Sequence, residues 1–522
     1  FDARYRGIIR FALRNRTITF GLASAVLVAS FGVAGMLGFE FIPMEDKAQF
    51  IVRMELPPGA SLEATDEAAS QVANVLRDIP GVESTFATVG GGAQEQRNLA
   101  TVLVLLEPRA ARAYHQTEIM TFARELLAGS TEFTSSVEAA DDGGAGGQRN
   151  AEVQLDLRGS DLEELQASAQ RIVDALNATG KYVDVDTSFR TGKPEMRVEV
   201  RRAVIDDLGI SADTVASTAR TLFAGTIATS VEDEANQIDV RVRLPEEARN
   251  IYAASHANVL SAQGRPVPIG IVADVSLVSG PSRVDRQSRQ RQVTVYANLR
   301  GIPLGEAMAQ VQAISDEVTG DGVTAAFGGT AQMMEESMAS MLLSIFLAVI
   351  CVYMILAAQF ESFLHPLTIM SSLPFSLIGA FGALLITGNT MTIFAMIGLI
   401  MLFGLVTKNA ILLIDFAIQL RGEGQDIPLA LENAGATRLR PILMTTGAMI
   451  FGMLPVAIGH GDGGEVRAPM GIVVIGGLIT STVLTLVVVP VLYSLLEGAR
   501  IRVSRLFSRA VETPPTPEAT VS

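Results

Sequence analysis

The stretch GLVTKNAILLIDFA, residues 404–417, places a lysine inside sequence that is otherwise apolar enough for a membrane. A charged side chain near the centre of a bilayer costs roughly 2.5–3.5 kcal/mol. Lys408 therefore either extends its ammonium group to the membrane surface or has a function inside the membrane. Asp415, near the predicted cytoplasmic end, lies about 10 Å further along a helix. Because reaching that surface would strain the side chain, the sequence favours a functional lysine.

Six segments are long and apolar enough to cross a bilayer as helices, which takes about 20 residues each. The chain has 522 residues, 49% of them hydrophobic, and the apolar residues are concentrated in these runs. We therefore expect a polytopic α-helical membrane protein. The predicted spans are Thr17–Gly38, Ser337–Phe360, Pro366–Thr387, Asn389–Ile414, Pro441–Gly459 and Ala468–Leu496.

The distribution of arginine predicts the orientation of these spans. Arginines are clustered in residues 1–16, 421–440 and 500–509, whereas the two short loops on the opposite side contain only Arg467. Since basic loops stay in the cytoplasm, both termini are predicted to be cytoplasmic and Glu40–Glu336 to lie outside. That outer segment has 44 acidic against 26 basic residues. Its charge argues against a nucleic-acid partner and favours cationic or amphiphilic ligands.

The outer segment alternates between strand-like and helix-like periodicity. A β-α-β-β-α order from Gln49 to Leu127 predicts ferredoxin-like α+β subdomains, and Ser160 with Glu163 fits a helix capping box. The predicted strands are Gln49–Leu56, Glu83–Val89, Ala100–Leu106, Glu152–Leu157, Glu195–Arg201, Gln237–Leu244 and Gln292–Leu299. The predicted helices are Leu62–Arg77, Gln116–Leu127, Asp161–Leu176 and Leu304–Val318.

No pattern in the sequence predicts a cofactor or a resident metal. The glycine-rich stretches VGGGAQEQ (89–96) and DDGGAGGQ (141–148) lack the GK[ST] ending of a phosphate loop; they are either flexible connections or a gating loop beside a ligand cleft. The four histidines are far apart and are interpreted as surface or loop residues. A methionine cluster favours helix packing over soft-metal binding; it consists of Met333, Met334, Met338 and Met341.

The choice of lysine inside a span is informative because the chain has only four lysines among 40 basic residues. Arginine stays charged in proteins, whereas a buried lysine can lose its proton. No acidic residue inside the six spans lies close enough in sequence to neutralise Lys408. Span five offers only another cation, Arg438, and the hydroxyls of Thr445 and Thr446. The sequence therefore implies that the missing carboxylates come from another polypeptide or from another half of this one.

At this point the motifs resemble the resistance-nodulation-division efflux transporters, most closely the hydrophobe/amphiphile multidrug branch. The resemblance covers essentially the whole chain and implies the C-terminal half of such a permease, with spans seven to twelve; a first residue other than Met suits a fragment. It rests on GLVTKNAILLIDFA, TRLRPILMTTGAMIFGMLPVAIG (437–459), RAPMGIVVIGGLITSTVLTLVVVPVLY (467–493), AAQFESFLHPLTIM (357–370), GFEFIPMEDKAQF (38–50) and MELPPGA (54–60).

The resemblance implies roles for individual residues. The family's proton-relay lysine, arginine and threonine match Lys408, Arg438 and Thr445, and its paired aspartates lie in the absent N-terminal half. In the family's drug pocket, Phe86 matches an aromatic position. Two positions depart from the pattern: the phenylalanine-bearing loop is replaced by VGGGAQEQ, beginning at Val89, and another aromatic position is Leu103. Fewer rings offer less stacking, so we expect an altered substrate range.

The resemblance also implies a domain plan and an assembly. The expected function is proton-driven efflux of hydrophobic or amphiphilic compounds, as the Gram-negative inner-membrane permease of a tripartite pump and not as an enzyme. Expected partners are the N-terminal half, two further copies in a homotrimer, a periplasmic adaptor, an outer-membrane channel and membrane lipid. The plan has a basic cytoplasmic helix and first span (1–39), a first porter subdomain (40–135), a second porter subdomain (136–193 and 281–336), a docking subdomain (194–280), a five-span bundle (337–498) and a cytoplasmic tail (499–522).

Three other interpretations remain open. A related pump could export lipids or metal ions. A non-transporting membrane receptor or scaffold would not depend on Lys408. This chain on its own could also be an inert half, because it lacks the partner carboxylates.

Overall fold

Six long apolar helices and a mixed helix and strand domain make up the part of the chain that the structure describes. The structure is a computed structural model and describes residues 2–91, 96–140, 149–190, 192–233, 236–280, 283–320, 322–461 and 463–511. Both glycine-rich hypotheses depend on residues outside these ranges, at 92–95 and 141–148. The prediction of six spans is confirmed.

Helices and strands alternate in the outer segment, and helices alone form the rest of the described chain. The helices are α1 (Asp2–Arg14), α2 (Arg16–Met36), α3 (Leu62–Arg77), α4 (Gln116–Leu127), α5 (Leu162–Thr179), α6 (Arg202–Asp207), α7 (Ala212–Phe223), α8 (Ile251–His256), α9 (Ile269–Val272), α10 (Leu304–Val318), α11 (Gly329–Phe360), α12 (Leu364–Met370), α13 (Ser372–Thr387), α14 (Ile393–Gly422), α15 (Ile427–Ile458) and α16 (Gly464–Val511). The strands are β1 (Gln49–Glu55), β2 (Val82–Val89), β3 (Leu99–Leu106), β4 (Thr134–Ala139), β5 (Val153–Gly159), β6 (Tyr182–Thr187), β7 (Lys193–Val200), β8 (Thr226–Asp233), β9 (Asn236–Val242), β10 (Asn258–Leu260), β11 (Pro266–Pro268), β12 (Ala273–Gly280), β13 (Asp285–Gln287), β14 (Gln290–Leu299) and β15 (Thr324–Gly328).

The first sheet has the strand order β2-β3-β1-β4, with every neighbouring pair antiparallel. Alternate residues of β3, including Val102 and Val104, are fully buried beneath α3 and α4, whereas Leu103 and Leu105 face the other side. This follows from the period of two in a strand, which separates a core face from an open face. Because β4 pairs with β1, the first sheet extends past residue 135, where the sequence analysis had placed the subdomain boundary.

The second sheet repeats this arrangement. Strands β6, β14, β5 and β15 lie side by side, and β13 extends the edge of β14. Helices α5 and α10 pack on its core side through residues such as Leu165 and Val311. Between β6 and β14 the chain makes a separate insertion, which contains the antiparallel pair β7–β12, the hairpin β8–β9 and the short pair β10–β11.

Polar side chains cap the first turns of α3 and α5, the second at a different residue from the one predicted. Ser61 caps α3 by accepting a hydrogen bond from Ala64 N at 3.1 Å. The predicted capping box at Ser160 is wrong: Asp161 is the N-cap of α5, and its carboxylate accepts from Glu163 N at 2.9 Å. An ionised carboxylate accepts this bond more strongly and also complements the helix dipole.

Helix α16 is the centre of the membrane bundle and packs against α13, α14 and α15. It crosses α13 so closely that a Cβ added to Gly379 would lie 2.3 Å from the carbonyl oxygen of Gly476. Only glycine permits this backbone approach. Several of the helices extend beyond the predicted bounds of their spans. In the third span α12 and α13 meet at Ser371, whose backbone is also helical. Helix α15 begins at Ile427, before the predicted start at Pro441, and α16 continues to Val511, beyond the expected end of the bundle at residue 498.

Candidate functional site

Lys408 lies in the middle of α14 and points away from the described bundle. Its neighbours Thr407 and Asn409 are 5% and 1% exposed, whereas Lys408 is exposed, on the same side as Met401. None of the residues that the structure describes forms an ion pair with Lys408. Asp415, two turns along, is half-buried and accepts a hydrogen bond from Gln419 Nε2 at 2.9 Å.

A buried chain of polar side chains fixes the rotation of α14 at this level. Asn409 Nδ2 donates to Thr446 Oγ1 on α15 at 3.3 Å. The Thr446 hydroxyl is 3.2 Å from the Thr482 hydroxyl on α16. Since polar groups inside a membrane must find partners within the protein, Asn409 turns inward and its neighbour Lys408 turns outward. These three hydrogen-bonded residues were not predicted from sequence, although a polar residue in each of three spans was the available signal.

Arg438 and Thr445 lie on α15, which packs against α14. The Arg438 guanidinium carbon lies 4.8 Å from the centre of the Phe416 ring, a cation–π contact. Its Nε atom is buried and makes no hydrogen bond with any described residue. Thr445 Oγ1 donates back to Ile442 O at 3.1 Å. The expected relay residues are therefore on adjacent helices, but Lys408 makes no hydrogen bond with either of them in the described chain.

The expected substrate-contact residues are on the open face of the first sheet and at its edge. Phe86 on β2 and Leu103 on β3 are directly opposite each other in the antiparallel register. Phe86 is 64% exposed, and Leu103 is half-buried. Val89 is half-buried at the end of β2, opposite Ala100. Phe86 and Leu103 thus form one small apolar surface that α3 and α4 do not cover.

Three arginines join the first sheet and its helices to the second subdomain. Arg190, which follows β6, donates to both carboxylate oxygens of Glu55 at 2.9 and 2.8 Å. Its guanidinium also binds Asp186, with Nη2 donating at 2.6 Å. The other two contacts are Arg124 Nε to Asp184 Oδ2 at 2.9 Å and Arg149 Nε to Glu138 Oε1 at 3.3 Å.

We call these three cross-subdomain ion pairs the porter clamp. Burial alone would raise the pKa of Asp186, but the charges and hydrogen bonds of Arg190 and Arg149 outweigh that effect and hold its pKa below the usual range. Asp186 therefore stays ionised and keeps Arg190 oriented toward Glu55. These ion pairs could not be predicted from sequence, because their members come from distant segments of the chain.

A second polar junction connects the first subdomain to the membrane bundle. Asp46 pairs with the guanidinium of Arg112 and accepts from Gln116 N at 3.3 Å. His115 Nε2 lies 3.5 Å from Asp46 Oδ2 and 3.3 Å from Glu465 Oε1, at the start of α16. Burial would raise the pKa of Asp46, but the Arg112 and backbone hydrogen bonds lower it overall. His115, interpreted from sequence as an isolated surface or loop residue, is also the N-cap of α4.

Residues 1–497 of the chain match the AcrB/AcrD/AcrF family. The chain belongs to this family of resistance-nodulation-division permeases. Family membership and the six apolar helices indicate a multi-pass inner-membrane protein from a class of transporters, not of enzymes. The resemblance inferred from the motifs is therefore confirmed at the family level.

Similar proteins include two multidrug resistance proteins MdtC. The protein from Erwinia tasmaniensis is 32% identical over 489 residues, which are 91% of this chain and 47% of the relative. The protein from Klebsiella pneumoniae strain 342 is 29% identical over 515 residues, or 97% of this chain and 50% of the relative. The chain thus spans about half the length of these relatives.

The fold is also similar to crystal structures of a heavy metal efflux pump. One crystal form superposes with a TM-score of 0.84 at 25% identity and covers 95% of this chain and 51% of the pump. The other gives 0.82 at 26% identity, with coverages of 95% and 52%. Because both crystal structures cover 95% of this chain, they share its membrane bundle and its outer domain.

Proposed function

We propose that this chain is the C-terminal half of a permease that exports hydrophobic and amphiphilic compounds in exchange for protons. The observation that carries the proposal is Lys408, an ammonium group at mid-helix in a membrane span that faces outward and has no carboxylate partner among the described residues. A permanent unpaired charge there would be costly. A carboxylate supplied by the N-terminal half removes that cost and creates a pair that protonation can break.

The relay works through the balance of charge at Lys408. When the partner carboxylates are ionised, they attract the lysine and hold the two halves together. When they take up a proton, this attraction is lost and α14 is free to move. The Asn409–Thr446–Thr482 chain transmits that movement to α15 and α16, because these helices share its hydrogen bonds. Arg438 and Thr445 supply a fixed positive charge and a hydroxyl on the adjoining helix.

The outer domain converts helix movement into access for substrate. Each of its two larger subdomains has the element order β-α-β-β-α-β, which supports the ferredoxin-like class, and the insertion from β7 to β12 is the docking subdomain. The cleft lies between the two porter subdomains, and the porter clamp holds it closed. Phe86, Val89 and Leu103 contact substrate on the open face and at the edge of the first sheet.

The proposed assembly has partners on three sides. The N-terminal half completes the membrane bundle, and homotrimerisation joins three permeases in a Gram-negative inner membrane. A periplasmic adaptor and an outer-membrane channel complete the export path through the docking end. Members of the matched family work in such assemblies.

Dye export in cells that also express the matching N-terminal half tests the proposal. Lys408→Ala should abolish export, because alanine lacks the positive charge that attracts the partner carboxylates. Met401→Ala, on the same exposed side of α14, should retain export. If Lys408→Ala transports as well as the unmodified protein, the charge relay at this residue is refuted.

Heavy-metal export is the second candidate, favoured by the similarity to the heavy metal efflux pump. Two observations oppose it. Among the described residues, no group of three or more His, Cys, Asp or Glu is arranged to hold a metal ion. In the methionine cluster, Met334 is only 7% exposed and packs in the core of the second subdomain. Metal-tolerance assays run beside the dye-export assay would separate the two candidates. If this chain expressed without the N-terminal half is inactive in both assays, that result supports the interpretation as an inert half.

A further inference from the structure

Helix α1 is fixed to the membrane bundle by one of its faces. Tyr5 and Ile9 are 7% and 0% exposed, and the Tyr5 hydroxyl donates to Leu486 O at 2.9 Å. Arg10 binds both carboxylate oxygens of Glu432 on α15, through Nε at 2.8 Å and Nη2 at 2.7 Å. These contacts come from two helices, α15 and α16, so they determine which side of α1 faces outward.

The opposite side carries a stripe of two apolar residues between two arginines. Ile8 and Phe11 are 53% and 64% exposed. Arg4 and Arg14 are exposed and make no hydrogen bond or ion pair with any residue that the structure describes. The spacing of four, three and three residues places all four side chains along one side of the helix, about 15 Å from end to end. We call these four residues the outer stripe of α1.

The position of α1 identifies the surroundings of this stripe. Helix α1 ends at Arg14, and the first apolar span, α2, begins at Arg16. The outer stripe therefore lies at the boundary of the membrane, on the side where the arginine-rich loops collect. Large apolar side chains flanked by basic residues are the composition of helices that lie in the plane of anionic lipid surfaces. Two other surroundings fit the stripe less well. In water, the apolar Phe11 ring would stay exposed to solvent, and a protein surface would need acidic groups opposite both arginines.

We propose that the outer stripe of α1 binds the anionic phospholipid surface of the membrane. The guanidinium groups of Arg4 and Arg14 donate to phosphodiester oxygens, which accept strong charge-assisted hydrogen bonds. Ile8 and Phe11 enter the boundary between headgroups and acyl chains, where their apolar surface leaves water. This contact is independent of proton-coupled transport, and its test needs no transport assay.

The chain contains no tryptophan, so Phe11→Trp introduces a single fluorophore into the outer stripe. The purified chain is reconstituted in phosphatidylcholine that contains a small, fixed mole fraction of a brominated lipid, which quenches tryptophan on contact. Brominated phosphatidylglycerol should quench the fluorophore more than brominated phosphatidylcholine at the same mole fraction. Phe363→Trp is the matched control: this phenylalanine is 78% exposed at the same predicted side of the membrane, but the outer stripe does not include it. Its quenching should not depend on the headgroup.

Removing the charges tests the arginines directly. Each basic residue near an anionic surface changes binding by about five-fold, so Arg4→Gln with Arg14→Gln should weaken phosphatidylglycerol binding roughly 25-fold and remove the preference. Neither substitution breaks a contact within the described chain, and circular dichroism should show unchanged helicity. Equal quenching of Phe11→Trp by both lipids would overturn the proposal. Quenching by neither lipid would also overturn it, because another polypeptide surface or water would then cover the stripe.

Discussion

In the proposed function, neutralising Arg190 should open the cleft between the two porter subdomains. Arg190 binds Glu55 of the first subdomain through two hydrogen bonds, and their side chains are 23% and 21% exposed. Breaking a fully buried ion pair costs about 3–5 kcal/mol, whereas an exposed pair contributes about 1 kcal/mol or less. At this intermediate burial, Arg190→Gln should cost the closed arrangement about 2 kcal/mol. The ratio of closed to open molecules then falls roughly 30-fold.

Distances between spin labels on the two subdomains measure this shift. In a Cys351→Ser background, labels at the exposed positions Ser70 on α3 and Gln166 on α5 report the separation of the first and second subdomains. Arg190→Gln should shift or broaden the distance distribution. The matched control is Arg171→Gln, which removes an ion pair within the second subdomain alone and should leave the distribution unchanged. An unchanged distribution in Arg190→Gln, or an equal change in both variants, would refute the clamp.

Three further changes test other parts of the structure. Gly379→Val should lower the yield of folded protein, with an overpacking cost of about 3 kcal/mol or more. Gly382→Val on the same helix should fold normally, because a Cβ added there meets no other atom within 4 Å. Equal yields of the two variants in size-exclusion chromatography would contradict the close crossing of α13 and α16. Leu103→Phe places a second ring opposite Phe86 and should tighten binding of an aromatic dye by about two- to ten-fold, measured by fluorescence polarisation; unchanged affinity would remove this pair from the substrate surface. The pKa of Asp46 is lowered on folding from a usual value of 3.8, so its contribution to stability is present above that pH and is lost as pH falls through the lowered value. Asp46→Asn should therefore lower the melting temperature at neutral pH and reduce the loss of stability at acidic pH, both measured by circular dichroism. An unaltered pH profile would count against the junction.

Local periodicity predicted several helices to the residue. The predicted bounds Leu62–Arg77, Gln116–Leu127 and Leu304–Val318 are those of α3, α4 and α10. Each has one apolar side, so its limits depend mainly on neighbours in sequence. The number of membrane spans was also predictable from sequence, because the cost of exposing polar groups to lipid depends on local composition.

Features that depend on tertiary contacts could not be predicted from sequence in the same way. Strand β4 was not predicted, since its sequence TSSVEA has weak strand character and pairing with β1 stabilises it. The capping role of Asp161 was assigned to Ser160, one residue away, because both residue types satisfy the pattern. His115 had no signal as a junction residue, because its partners Asp46 and Glu465 lie far away in sequence, Glu465 by 350 residues.

The orientation of Lys408 changes what its charge implies. From sequence, the missing counter-ion was predicted to come from another polypeptide or from another half of this one. In the structure, Asn409 takes the inward position and its hydrogen bond to Thr446 holds it there, so the adjacent Lys408 is turned outward. Rotating Lys408 inward would break that bond and bury an ammonium group among hydroxyls that cannot neutralise it. In the proposed function, the partner carboxylate therefore approaches from outside the described bundle, on the face that also carries Met401.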